Sequence, residues 1–157
     1  MAALLALLPA AAGAVVTGPF SGERLPRYAA LKAELVYLRK GPGGEYAVDF
    51  ELTRRHLPVR IVGEHGPWRR VVLHDGETGW IHRVMLTSAR YVVARAAAAP
   101  IRNAPDPRSG PIASLEAATP MRIRRCGLSW CRLEGHGVVG WAAKDALWGV
   151  EATEILE

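Results

Sequence analysis

The sequence predicts an all-β protein made of two tandem small barrels, and three observations carry that prediction. The first is an internal repeat. Arg27-Tyr28 recurs as Arg90-Tyr91 and Pro42 as Pro105, 63 positions on; Pro58-Val59-Arg60-Ile61 recurs as Pro120-Met121-Arg122-Ile123, and Trp68 as Trp130, 62 positions on. Gly79-Trp80 recurs as Gly140-Trp141 and Leu86 as Leu147, 61 positions on. The offset shrinks one residue at a time, as single deletions in loops produce, so the chain is a tandem duplication. The second observation is period-two placement of Val59 and Ile61, and of Val71 and Leu73, beside polar neighbours, as half-buried strands require. The third is punctuation: 16 glycines and 11 prolines break the chain into short segments. About 60 residues of short antiparallel strands close most simply into a small barrel, which removes its own exposed edges.

Taken in order, residues 1–16 are uncharged and rich in Leu and Ala. That run is too short for a membrane span, which needs roughly 20 apolar residues. It matches the apolar part of an export signal, followed by Ala12-Gly13-Ala14, although no Lys or Arg precedes it. Cleavage after Ala14 is expected, which makes residues 1–14 a signal-like segment. The first unit then covers 27–88 and the second 90–150. Residues 29–38 have helical propensity, but their counterpart at 92–101 contains Val92-Val93 and Pro100, so both segments read as extended. Gly41-Pro42-Gly43-Gly44 and Ala104-Pro105-Asp106-Pro107 mark an early loop in each unit. The stretch 57–86 reads as strand, tight connection, strand, hairpin at Asp75-Gly76, strand. Gly135 to Gly137 makes the same hairpin connection in the second unit. The tail from Trp148, with Glu151, Glu154 and Glu157, reads as an acidic final strand or short helix anchored by Trp148.

Leu38-Arg39-Lys40-Gly41-Pro42-Gly43, Tyr46, the Pro58-Val59 strand, Trp68 and Gly79-Trp80-Ile81 together resemble a bacterial SH3-like (SH3b) domain. The second unit resembles it through Ile101-Arg102, Pro105, Trp130-Cys131-Arg132-Leu133 and Gly140-Trp141. The resemblance implies two SH3-like β-barrels packed closely, each of five to seven strands, often attached to cell wall or to a peptide. It implies no single ligand. The second unit departs from the pattern: Ala104 and Asp106 replace glycines, and no tyrosine answers Tyr46. A signal-like start followed by two such units is similar to exported proteins of Gram-negative bacteria.

The net charge is +5 at neutral pH, with the surplus concentrated before residue 96. No dense basic stripe with interleaved aromatics is present, so nucleic acid is not an expected partner. Catalysis finds no support, because a thiol nucleophile needs a histidine base held by a third group. His136 is the only histidine of the second unit, on a glycine-flanked turn, and the four others read as solvated surface residues. The spacing Cys126-x4-Cys131-x4-His136 supplies three ligands at most, short of a zinc signature, so no metal and no cofactor are expected. Cys126 and Cys131 flank a tight connection; in an oxidising compartment they form a disulfide worth roughly 2 kcal/mol, with two free thiols as the other reading.

Aromatic residues are the candidates for binding, since rings on a small barrel grip prolines, sugars or apolar side chains. Tyr37, Tyr46, Trp68 and Trp80 recur near the loops of the first unit, with Arg39, Arg69 and Arg70 offering charge to a carboxylate. For Trp68 and Trp80 the competing reading is core filling after valine-rich strands, which would leave function to the loops. The expectation is a non-catalytic, periplasmic binding module for cell-wall peptide or a protein partner, with Tyr37, Arg39, Tyr46, Trp68 and Trp80 as candidate contacts. The alternative is a structural or assembly protein of the cell envelope without affinity for peptidoglycan. Membrane association is not expected once the signal is removed.

Overall fold

The computed structural model describes residues 15–157; the signal-like residues 1–14, with the expected cleavage site, lie outside the described residues. In the first unit the strands are β3 (Arg27–Leu31), β4 (Val36–Arg39), β5 (Val48–Leu52), β6 (Pro58–His65), β7 (Trp68–Val72), β8 (Thr78–His82) and β9 (Leu86–Thr87). They form one antiparallel sheet in the order β5-β4-β8-β7-β6-β3-β9, curled around its own core. The second unit repeats this with β10 (Tyr91–Ala94), β11 (Ala98–Arg102), β12 (Pro111–Glu116), β13 (Met121–Cys126), β14 (Trp130–Gly135), β15 (Val138–Ala143) and β16 (Leu147–Trp148). Its order, β12-β11-β15-β14-β13-β10-β16, is the same topology strand for strand. Preceding both, β1 (Val16–Thr17) and β2 (Arg24–Leu25) pair as a short hairpin. The protein is all-β with two SH3-like units, as the sequence predicts.

Details of register repeat as well. A bulge interrupts β6 between Ile61 and Gly63, and β13 between Ile123 and Arg125. The turn after β5 passes through His56 at φ 68, and its counterpart after β12 through Ala118 at φ 56. The β7–β8 connection turns at Gly76 with φ 90, where the Asp75 carboxylate accepts the amide proton of Glu77 at 3.1 Å. The β14–β15 connection is tighter: His136 and Gly137, at φ 51 and 75, are the two left-handed central residues of a two-residue hairpin.

One strand belongs to both cores. Val92 and Ala94 of β10 point into the second unit's core, while Val93, between them, is fully buried in the first unit's core. Alternation along a strand sends neighbours to opposite faces, so a continuous apolar run is what a wall between two cores requires. Other contacts follow this seam. Trp148 packs edge-to-face on Tyr28 at 5.2 Å, and the Arg60 guanidinium pairs with Glu151 at 2.9 Å. Arg90 forks onto Glu154, donating to its Oε2 at 2.9 Å, and lies 5.6 Å from the Tyr28 ring. Burial raises the Tyr28 phenol above its ordinary pKa, with the Glu151 charge adding to the rise.

The tail corrects the expected final strand or short helix. After β16 it forms a turn and a single antiparallel bridge, Leu156 to Cys126. Buried Lys144 holds it down by donating from Nζ to the carbonyls of Gly127 and Glu154. The arginine fork on Glu154 keeps its carboxyl below the usual range, against the opposing effect of burial.

Candidate functional site

Strand parity collects the candidate residues on one outward face. On β4, Val36 and Leu38 are buried while Tyr37 and Arg39 turn outward; on β8, Gly79 and Ile81 point in and Trp80 out. On β7, Arg69 and Val71 point in, Trp68 and Arg70 out. Register then places Arg39 and Arg70 on either side of Trp80, giving a ladder Arg39–Trp80–Arg70 across three strands. Trp68 sits one outward rung away, paired with His82, their rings 5.2 Å apart and edge-to-face. The Arg39 guanidinium also lies 5.7 Å from the Tyr37 ring. Tyr37 and Tyr46 are 42% and 44% exposed.

This placement changes what the stretch 57–86 supplies. Trp68 and Trp80 are half-buried and stand outside the core, which is built from Leu38, Val59, Ile61, Val71 and Ile81. The core-filling reading is therefore corrected: the stretch provides both the core and the outer ladder. Arg69 is corrected in the other direction. It is only 6% exposed and is spent internally, on Glu64 and on the carbonyls of Gly66 and Trp68, so it is not free for a ligand.

Arg39 is partly committed too. Its Nη1 donates to the carbonyls of Gly44 at 3.3 Å and Tyr46 at 2.9 Å, bracing the early loop against β4. The Tyr46 ring lies on Gly41, where an added Cβ would come within 2.3 Å of the ring. The second unit keeps the brace and exchanges the packing. Arg102 Nη1 donates to the carbonyl of Ser109 at 2.6 Å, and Ser109 stands 63 positions after Tyr46. With a small residue there, Ala104 takes the place of Gly41, and the Ser109 hydroxyl accepts the Ala104 amide proton at 3.2 Å. The missing tyrosine and the missing glycine are thus one coupled exchange.

The ladder itself is duplicated. Trp141 is flanked by Arg102 and Arg132 through the same pairings, and Arg125 adds a guanidinium 5.1 Å from the Trp141 ring. The sequence reading singled out only the first unit's residues; the repeat offsets that define the duplication also locate this second set. The glycine before each tryptophan has a physical cause. A Cβ on Gly79 would come 2.5 Å from Leu38 Cγ and 2.9 Å from the Arg39 carbonyl. On Gly140 it would come 2.5 Å from Ile101 Cγ2 and 2.9 Å from the Arg102 carbonyl. Only glycine allows the crossing strand to lie this close, and that closeness sets the arginine beside the indole.

Away from the ladder, Glu64 organises the start of the chain. Its fully buried carboxylate accepts the backbone amides of Phe20 and Ser21 at 3.1 and 2.9 Å, the Ser21 hydroxyl at 2.6 Å, and both Arg27 Nη atoms at 3.2 Å. Burial opposes ionisation, but the hydrogen bonds from Ser21, Phe20 and Arg27 outweigh it and lower the pKa to about 2. The equivalent position in the second unit is Cys126, bonded to Cys131 across the β13–β14 ladder. The expected disulfide is present, and neither sulfur is a thiol.

A half-buried indole whose cross-strand neighbours are two arginines offers a flat apolar face with cationic side chains rooted on either side of it. Such a surface takes an apolar or ring group beside a carboxylate, through stacking, cation–π attraction and charge-assisted hydrogen bonds. Among the described residues no three His, Cys, Asp or Glu side chains are grouped to hold a metal ion. No helix among them is long and apolar enough to cross a membrane.

Two curled sheets of one topology, each carrying the same Arg–Trp–Arg ladder, define a tandem small-barrel protein. The chain belongs to the bacterial SH3 domain family, whose model matches residues 32–87 and again 95–149. No curated protein matches the sequence. Among solved structures it is similar to NlpC2 from Trichomonas vaginalis, at 20% identity and TM-score 0.36, over 78% of this chain and 48% of that one. NlpC1 from the same organism is similar at 19% identity and TM-score 0.36, over 83% and 48%. An NlpC/P60 family protein from Bacillus cereus is similar at 14% identity and TM-score 0.36, over 77% and 55%. The chain spans about half the length of each.

Proposed function

We propose that the protein is a non-catalytic binding module of the bacterial cell envelope, exported to the periplasm, that recognises cell-wall peptide or a protein partner through its outer ladders. The observation that carries this reading is the duplication of one outward-facing arrangement, Arg39–Trp80–Arg70 and Arg102–Trp141–Arg132, on otherwise diverged surfaces. A cationic rim around an indole suits the free carboxylates and short side chains of a stem peptide. The absence of catalysis is part of the proposal. Its support is that both cysteines are consumed in a disulfide, and that the His136 ring is engaged with the Pro120 carbonyl at 3.1 Å.

Sedimentation with purified peptidoglycan tests the binding. The protein is expected to co-sediment, and the double variant Trp80→Ala/Trp141→Ala to remain in solution. Equal co-sedimentation of the two proteins, or none by either, would remove the cell-wall form of the proposal. A second reading, a structural or assembly protein, is favoured by the bracing role of Arg39 and Arg102, which tie loops rather than stand free. Crosslinking in the periplasm separates the two, by recovering polymer in one case and protein alone in the other.

A further inference from the structure

At the seam lies a cleft of about 560 Å³ to which both units contribute. The first unit supplies Arg54, Arg55 and His56 from the turn after β5; the second supplies Tyr91 of β10 and Arg122 and Arg124 of β13. His56 and Tyr91 stack face to face, ring centroids 4.2 Å apart and planes 11° from parallel. Tyr91 and Arg122 are cross-strand partners, which sets that guanidinium beside the stack. Arg54 crosses between the units and donates from Nη1 to the carbonyl of Ala118 at 2.9 Å, a contact that leaves its charge intact.

The charges do not balance. Four guanidiniums line the cleft against a single carboxylate, Glu134, which is taken by Arg124. Arg55 and Arg122 carry no hydrogen-bonded or ion-paired partner among the contacts of the described residues. Burial, and then the nearby charges of Arg55 and Arg122, hold the His56 imidazole below its ordinary pKa. The guanidiniums supply the positive potential of the cleft. Unopposed like charges lining one cleft repel one another and favour a bound counter-ion.

The duplication shows that the fold does not require this charge. The turn holding Arg54-Arg55-His56 recurs 62 positions on as Glu116-Ala117-Ala118, with the left-handed residue kept and the basic residues absent. Both turns lie at the seam, where Arg54 reaches the carbonyl of Ala118, yet only the first copy carries the basic residues.

We propose that this cleft is an anion-binding site for a compact group bearing two or more negative charges, a phosphate monoester or a paired carboxylate, gripped between Arg55 and Arg122 over the His56–Tyr91 stack. Guanidinium forks suit both oxyanions bidentately, and the stack supplies a flat floor for an attached ring or chain. The site is separate from the outer ladders, so it stands or falls independently of the function proposed above.

Titration of the full chain with inorganic phosphate and, separately, with citrate tests it, read by NMR shifts of the His56 ring and Tyr91 at low ionic strength. Saturable shifts with either probe are expected, weakening as salt is raised. Response to phosphate alone assigns the phosphate source, and response to citrate alone the carboxylate source. Arg55→Ala/Arg122→Ala, both exposed positions, should weaken binding by ~10-fold or more while the far-ultraviolet spectrum is unchanged. Arg108→Ala, which removes an exposed arginine on the early loop of the second unit, should leave binding as it was. Absence of saturable shifts with both probes overturns the proposal, as does equal weakening by Arg108→Ala.

Discussion

Replacing Glu64 with Gln keeps the shape of the side chain and removes its charge, which isolates what the buried carboxylate contributes. A pKa lowered from 4.5 to about 2 means that the folded state prefers the ionised form. At ~1.4 kcal/mol per unit of pKa, that preference is worth at most on the order of 3 kcal/mol, and less after solvent screening, because Phe20 and Ser21, which cover the carboxylate, are themselves exposed. Since the folded pKa lies below the unfolded one, this stabilisation is fully present above pH ~4.5 and is lost as pH falls through ~2. Its partners Phe20 and Ser21 lie in the N-terminal extension, whereas Arg27 and Arg69 belong to the first barrel. Acid should therefore release the β1–β2 hairpin before the barrels unfold. Hydrogen exchange of the amides of Phe20 and Ser21 reports that release directly. In the wild type their protection should fade between pH ~4.5 and ~2. In Glu64→Gln the protection should be low at pH 7 and nearly independent of pH. Global stability should also fall, by about 3–5 kcal/mol, because Arg69 loses its carboxylate while still buried. Unchanged protection at pH 7 in the variant, or an acid midpoint shared by both proteins, would refute the reasoning.

Three further outcomes are expected. Gly79→Ala should cost about 1–3 kcal/mol in urea denaturation, since the new Cβ meets Leu38 and the Arg39 carbonyl; a loss under ~0.5 kcal/mol would show that the strand crossing yields easily. Gly41→Ala alone should destabilise by displacing the Tyr46 ring, and Tyr46→Ser in the same chain should restore part of the loss. A double-mutant cycle measures this, and strictly additive effects would exclude the coupled exchange inferred from Ala104 and Ser109. Reducing the disulfide should cost roughly 2 kcal/mol and loosen the tail that bridges to Cys126, so trypsin cleavage after Lys144 should speed up with thiol reductant; an unchanged cleavage rate counts against this.

How much of this could be read from the chain depends on the range of the interaction. The strands of 57–86 and of its copy were legible because the duplication presents them twice, and Asp75-Gly76 and Gly135 to Gly137 punctuate both copies; β5, β12 and the order of strands in each sheet were not. The inward and outward positions were equally available: Ile81 and Val71 as core residues put Trp80 and Arg70 outside and Arg69 inside by parity alone. The core-filling reading rests on the valine-rich strands that precede Trp68 and Trp80 and not on their position in the alternation, which places both outside. Glu64 is different. Apart from Arg69 on the neighbouring strand, its partners lie 37 to 44 residues away along the chain, and a cross-strand arginine alone does not distinguish it from an exposed strand-end glutamate. The arginine cleft is more distant still, since Arg55 and Arg122 meet only because the second unit docks on the first. Interactions that span two copies leave no trace in the pattern of either one.

The wall strand β10 has a thermodynamic consequence. Val93 fills the first core while Val92 and Ala94 fill the second, so the second unit cannot unfold without withdrawing a fully packed side chain from the first, and unfolding of the first strips Val93 of its packing. Losing one such buried valine costs several tenths to a few kcal/mol, a sizeable share of what holds a barrel of some 60 residues together. The repeat therefore divides the sequence in two without dividing the melting transition. Heating should produce one calorimetric peak, and a fragment cut between the copies should lose stability on both sides of the cut.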